Sequence, residues 1–278
     1  MFIDVLTALV VVAAVGLIFG ILLALFGHFF GVEENENTQK IRAALPGINC
    51  GACGFKGCND YAEALANGKA KPNLCIPGAE ATAKEIGEIL GIEVETPKDM
   101  IAFVHCNGDC NVTVDKAVYE GIATCKARNM LYGGPKACSY GCLGCGDCAN
   151  VCVAHAISIV NGVAVVDTSR CVGCGLCAKE CPKKIISMIP QEAAVSVYCF
   201  NKDKGADARK ACKNACIGCK KCEKVCPTNA ISVVNNCAQI DYTNCTGCGL
   251  CVENCPTGCL KKVCFRDLQE NFDFDDLK

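Results

Sequence analysis

The chain has 278 residues, a formal net charge of −2 and 29 cysteines, about one residue in ten. Cysteine at that density marks disulfide scaffolds, but those are short secreted domains with too little core, and this chain is not short. Thiolate-bound metal is the remaining route, the metal contributing folding free energy, and the lack of any long basic run excludes nucleic acid as a partner.

From Val5 to Phe30 the only polar residues are Thr7 and His28, a run of 26 residues. That exceeds the roughly 20 residues a helix needs to span the hydrocarbon of a bilayer. The residues before the run carry Asp4 and no Lys or Arg, and no A-x-A site follows, so an uncleaved anchor (residues 1–31) is expected rather than a signal peptide. The first positive charges, Lys40 and Arg42, lie on its C-terminal side. Loop charge and the load of free thiols both place the rest of the chain in the cytoplasm, at the plasma (inner) membrane, with lipid around a single span.

Cys50, Cys53, Cys58 and Cys75 follow, spaced C-x2-C-x4-C-x16-C, with Gly51, Gly54 and Gly57 between the first three. Glycine lets backbone N–H groups approach an anionic cluster closely. Four thiolates suit a cubane cluster, and the Gly-rich loop favours iron–sulfur over zinc. Asn59 to Ala66 reads as a short helix, and residues 32–95 as a small helical 4Fe–4S domain. An apolar anchor, then CGACGFKGCNDYAEA, a distant cysteine and PGAEAT resembles the B subunit of the Rnf electron-transport complex. A related signature occurs in corrinoid iron–sulfur proteins, which are larger and lack the anchor.

Beyond residue 140 the chain repeats itself. Cys142, Cys145, Cys148 and Cys152 are spaced C-x2-C-x2-C-x3-C, as are Cys171, Cys174, Cys177 and Cys181. The pattern returns 74 residues later at Cys216, Cys219, Cys222 and Cys226, and at Cys245, Cys248, Cys251 and Cys255. This is the spacing of a bacterial two-cluster ferredoxin, in which the fourth cysteine of each run ligates the other cluster. The expected groups are therefore Cys142, Cys145, Cys148 with Cys181, and Cys171, Cys174, Cys177 with Cys152. In the second copy they are Cys216, Cys219, Cys222 with Cys255, and Cys245, Cys248, Cys251 with Cys226. Ala156–Val160 and Ala164–Asp167 read as a small strand pair over the clusters. Pro182, Pro227 and Pro256 follow their cysteines as the pattern expects, whereas Cys152 is followed by Val153.

These readings give an α+β architecture: one N-terminal transmembrane helix, a small helical 4Fe–4S domain, and two tandem bacterial-type two-cluster ferredoxin modules. The modules span residues 141–190 and 191–264, preceded by a cysteine-bearing connector (96–140) and followed by an acidic tail (265–278). Five 4Fe–4S clusters take twenty of the 29 cysteines. A sixth site of wide spacing is open at Cys106, Cys110, Cys125 and Cys138; the competing choice draws on Cys199 and Cys212, which lie 74 residues after Cys125 and Cys138. Cys237 reads as core, and Cys259 and Cys264 have no partner spacing. The alternative is that several of the leftover thiols are small buried hydrophobes.

No dinucleotide fingerprint, Walker loop or nucleophile elbow is present, and His28, His105 and His155 read as incidental, so no catalytic residue is expected. The Rnf resemblance implies a subunit of an ion-translocating ferredoxin:NAD oxidoreductase. It implies electrons accepted from soluble ferredoxin and relayed to other membrane and peripheral subunits. The doubled ferredoxin goes beyond the family's shorter, one-module pattern. A polyferredoxin serving a membrane hydrogenase or dehydrogenase, or a reducer of an iron–sulfur transcription factor, are the competing readings.

Overall fold

The apolar run forms one helix, α1 (Phe2–Phe30), in a computed structural model that describes residues 2–30, 35–94 and 99–263. Its Leu9–Phe26 stretch is long and apolar enough to cross a membrane, and no part of that stretch is buried by the rest of the chain. Cys264 and the acidic tail lie outside the described residues.

Three helices follow: α2 (Glu36–Ala44), α3 (Cys58–Ala66) and α4 (Ala79–Leu90). Asn35 caps α2 by accepting from the Asn37 N–H, and α4 stops at Gly91, whose φ of +67° is the left-handed C-cap that glycine favours. The apolar faces bury Ile41, Tyr61, Leu65 and Ile86 together with Cys75. Tyr61 ties the core to the loop that carries Cys75. Its hydroxyl donates to the Lys71 carbonyl at 2.7 Å and accepts from the Leu74 N–H at 3.2 Å. Tyr61→Phe keeps the ring packing but strands both loop groups, and is expected to cost about 1–3 kcal/mol. Chemical denaturation of this domain, followed with Tyr61→Phe and parent side by side, measures the loss; an unchanged midpoint would show that the loop holds itself.

The remaining elements are short. They run β1 (Met100–Val104), α5 (Cys125–Met130), α6 (Asp147–Asn150), β2 (Ile157–Val160), β3 (Val163–Val166), α7 (Leu176–Glu180) and β4 (Ile186–Pro190). Then come β5 (Val195–Val197), α8 (Gly205–Ala211), α9 (Lys221–Val225), β6 (Ile231–Val234), β7 (Cys237–Ile240), α10 (Leu250–Glu253) and β8 (Leu260–Lys262). All four sheets are antiparallel pairs: β1–β4, β2–β3, β5–β8 and β6–β7. The hairpin β2–β3 is the expected strand pair and β6–β7 repeats it 74 residues on, Ile157 pairing with Val166 as Ile231 pairs with Ile240.

Each cysteine loop folds onto its hairpin. Gly144, at φ +70°, leaves no room for a side chain: a Cβ there would stand 2.6 Å from the Gly162 carbonyl at the hairpin tip. Two cores result. One gathers Cys142, Cys148, Cys177, Ile157 and Ile186, the other Cys216, Cys222, Ile231, Val195 and Leu260.

The expected start of the first unit at residue 141 leaves out one of its strands. β1, in the segment read as connector, closes the unit by pairing with β4, Val104 opposite Ile186. β5 does the same for the second unit, Val197 opposite Leu260. A five-residue strand with no alternating pattern carries little signal before its partner is known. The outer faces of the two sheets meet. Phe103 packs edge-on against Tyr198 at 4.8 Å between ring centres, and His105 donates from Nδ1 to the Val197 carbonyl at 2.7 Å. With Nδ1 protonated, His105 Nε2 accepts from the Ser187 hydroxyl, and burial keeps the ring neutral by lowering its pKa. His105 is thus a structural bridge between the units.

Candidate metal centres

In the helical domain Cys50, Cys53 and Cys58 are half-buried and Cys75 is buried. The Asn49 side chain accepts from the Cys58 N–H at 2.8 Å and fixes the turn into α3. Burial pushes the Cys75 thiol up, and the charges of Cys58, Cys50 and Cys53 add to that, so the four share one electrostatic environment.

In the first repeated unit Cys177 is pushed up to about 12, by burial and then by Cys171, Cys174 and Cys152. Cys148 is also pushed up to about 12, by burial and then by Cys142, Cys125, Cys181 and Cys177. Cys152 therefore stands with Cys171, Cys174 and Cys177, and Cys181 with Cys142 and Cys148. In the second unit, Cys216, Cys219, Cys222 and Cys255 line one pocket, and Cys226, Cys245, Cys248 and Cys251 line another. Cys142, Cys148 and Cys181 line a third. Cys145 turns towards Cys125 and is pushed up to about 11, by burial first and that neighbour second.

The donor sets fit cubane clusters. Thiols that raise one another's pKa form a site favourable as thiolates only when cationic iron compensates them. Among the described residues no three His, Cys, Asp or Glu side chains converge closely enough to hold a single metal ion. The two quartets of the second unit instead each surround a space, as the wider thiolate tetrahedron of a cubane requires and a zinc site does not.

The set Cys106, Cys110, Cys125 and Cys138 is split: Cys110 is exposed, and Cys125 lines the cavity of Cys142, Cys148 and Cys181. Asp147 holds Cys125 there, accepting from the Cys125 N–H at 2.9 Å and the Lys126 N–H at 3.1 Å. Cys237 is buried against Cys199, its Sγ donating to the Cys199 carbonyl at 3.3 Å. Cys259 is buried beside Cys255, with 3.6 Å between sulfurs. Sequence reasoning gave Cys259 no neighbours; the hint was its adjacency to the Cys255-Pro256 turn.

Paired thiol runs crossing between two short antiparallel sheets define a 4Fe–4S protein of ferredoxin type. The comparisons agree: residues 141–185 and 215–259 match a 4Fe-4S dicluster domain family, residues 170–231 a second such family, and residues 45–77 the FeS family of Fe-S cluster segments. The chain is 46% identical over 235 residues to the B subunit of the proton-translocating ferredoxin:NAD(+) oxidoreductase complex of Clostridium ljungdahlii, covering 84% of this chain and 83% of that one. It is 41% identical over 228 residues to the Na(+)-translocating counterpart of Acetobacterium woodii (82% and 68%), and 39% identical over 210 residues to the B subunit of the ion-translocating oxidoreductase complex of Methanosarcina acetivorans (74% and 78%). The chain belongs to this family, the B subunits of the ion-translocating, Rnf-type oxidoreductase complexes.

Proposed function

We propose that the chain is the multi-cluster electron-transfer subunit of a membrane-bound ion-translocating ferredoxin:NAD⁺ oxidoreductase. It takes electrons from soluble ferredoxin and delivers them to membrane and peripheral partner subunits. The twenty paired cysteines hold five 4Fe–4S clusters, the two repeated units are tandem two-cluster ferredoxin modules, and α1 spans the inner membrane with the modules on the cytoplasmic side. When bound, such clusters supply one-electron transfer without bond chemistry.

The observation that carries this reading is the continuity of the thiol groups. Cys174 of the first unit lies within electrostatic reach of Cys50 of the helical domain, and Ile76 packs against Gly173. The crossed runs then carry the series from Cys171 and Cys177 to Cys142 and Cys148. At the far end, Cys219 and Cys248 are exposed, the two solvent-facing thiols of the second unit's quartets. Exposed Lys220, Lys221 and Lys224 stand beside Cys219. A cationic rim around an exposed cluster ligand suits an anionic redox protein, steering its approach. The helical domain, next to the anchor in the chain, is the end that faces the membrane partners.

The test is reduced-ferredoxin:NAD⁺ activity, with ion uptake, in anaerobic membrane vesicles that contain or lack this chain. Loss of both on deletion is expected. Persistence of both would move the chain to another reductase, as a polyferredoxin serving it.

A further inference from the structure

Four cysteines left over by the five groups, Cys106, Cys138, Cys199 and Cys212, come together where the two repeated units meet. Cys138 lies within electrostatic reach of Cys106, Cys199 and Cys212, and Cys212 of Cys106 and Cys199 as well. Gly108 is wedged between two of them: a Cβ there would stand 3.5 Å from the Cys212 sulfur and 3.6 Å from that of Cys106. Cys138, Cys199 and Cys212 are buried, and Cys106 is half-buried. No disulfide joins any of them to another described residue.

Their sulfurs are supplied with N–H donors, as cluster thiolates require. Cys106 accepts from the Gly108 and Cys142 N–H groups, both at 3.4 Å. Cys199 accepts from the Asn201 N–H at 3.5 Å and the Cys216 N–H at 3.2 Å. The Asn201 side-chain amide donates to Cys138 at 3.5 Å. The buried Lys136 ammonium, held on the Gly108 and Gly162 carbonyls, adds positive charge felt at Cys106.

The set is also internally symmetric. Sheet register makes Cys106 and Cys199 equivalents: each lies two residues past the strand residue, Val104 or Val197, that pairs with Ile186 or Leu260. Cys138 and Cys212 are equivalents at the 74-residue repeat. Each unit thus contributes one strand-end cysteine and one from the segment before its first run. The 74-residue offset that matches Cys199 with Cys125 is misleading, because 19 more residues separate Cys106 from Cys138 than Cys199 from Cys212.

From this juxtaposition we propose that Cys106, Cys138, Cys199 and Cys212 bind a sixth 4Fe–4S cluster at the junction of the two units. The backbone ties it to both sides: the Cys142 N–H donates to Cys106 and the Cys216 N–H to Cys199, and Cys142 and Cys216 each open the first run of a unit. The site links the two modules electrically, each transfer reducing it by one electron as the neighbour on one side is oxidised. The proposal rests on the chain being an iron–sulfur protein, and its test separates the two.

The test counts iron and acid-labile sulfide in the full chain, purified anaerobically in detergent. About 24 irons per chain are expected with six clusters and about 20 with five. A Cys138→Ala/Cys212→Ala double variant should fall by about four irons with the other clusters retained, and Cys110→Ala should lose none. A parent count near five clusters' worth, or a double variant that keeps the parent's full count, overturns the sixth site while leaving the five-cluster reading intact. So would zinc in place of the missing iron. If the double variant fails to fold, the parent's count, with Mössbauer quantitation, decides alone.

Discussion

Stripping the iron, by chelator under oxidising conditions, is expected to unfold residues 99–263 while leaving the helical domain's own core more nearly intact. The strands in this region are three to five residues long and its helices four to seven. Helices shorter than about 12–15 residues are marginal in isolation, and a lone two-stranded hairpin is no better. What holds these pieces together is a core rich in thiols: Cys199, Cys212, Cys216, Cys222, Cys237 and Cys259 are six of the thirteen buried members of the second unit's core. Structural metal binding in small thiolate domains is worth about 10–16 kcal/mol, comparable with or greater than the whole stability of an ordinary domain, about 5–15 kcal/mol. Far-UV circular dichroism should therefore lose the strand contribution, and limited proteolysis should cut between residue 99 and residue 263. The helical domain differs because Ile41, Tyr61, Leu65 and Ile86 pack three helices of nine to twelve residues against one another, and Cys75 is the one thiol among the buried members of that core. Protease resistance of residues 99–263 in the iron-free chain would show that the short elements carry themselves.

Much of this was legible in the sequence because iron–sulfur ligation fixes spacing. Cys142 to Cys152 and Cys171 to Cys181 can close on each other only through the turn–helix–hairpin path that the 74-residue repeat duplicates. The first hairpin showed as the apolar segments Ala156–Val160 and Ala164–Asp167. β1 and β5 stayed hidden, since each pairs with a strand more than sixty residues away in the chain and neither alternates. Hidden with them was the partner set of Cys106. Sequence spacing matched Cys199 to Cys125; only the ladder, Val104 opposite Ile186 and Val197 opposite Leu260, matches it to Cys106. The 19-residue excess between Cys106 and Cys138 obscures that correspondence, because a loop insertion shifts the count without moving the strand.

Removing α1 is expected to release the chain from the membrane without emptying its cluster sites. Of the 18 residues from Leu9 to Phe26, 13 are Leu, Ile, Val or Phe and none is charged. At about 0.3–0.6 kcal/mol each, those residues favour insertion by about 4–8 kcal/mol. Deleting residues 2–30 takes away no cysteine, so iron per chain should stay the same while the chain moves from the pelleted membrane to the supernatant. The truncated chain should still accept electrons from reduced ferredoxin, since the exposed thiols Cys219 and Cys248 lie in the second unit. Its support of NAD⁺ reduction in vesicles should collapse, because the helical domain no longer meets its membrane partners at high local concentration. An intermediate variant sharpens the argument: Leu17→Arg places a charge near the centre of the span, at a cost of about 2.5–3.5 kcal/mol on top of the lost leucine. It should weaken retention in proportion, leaving a chain divided between the two fractions. A deletion variant that still pellets with the membrane, washed at high salt, would mean that partner subunits rather than α1 hold the chain. The loss of coupled activity would then have to come from α1 acting inside the complex.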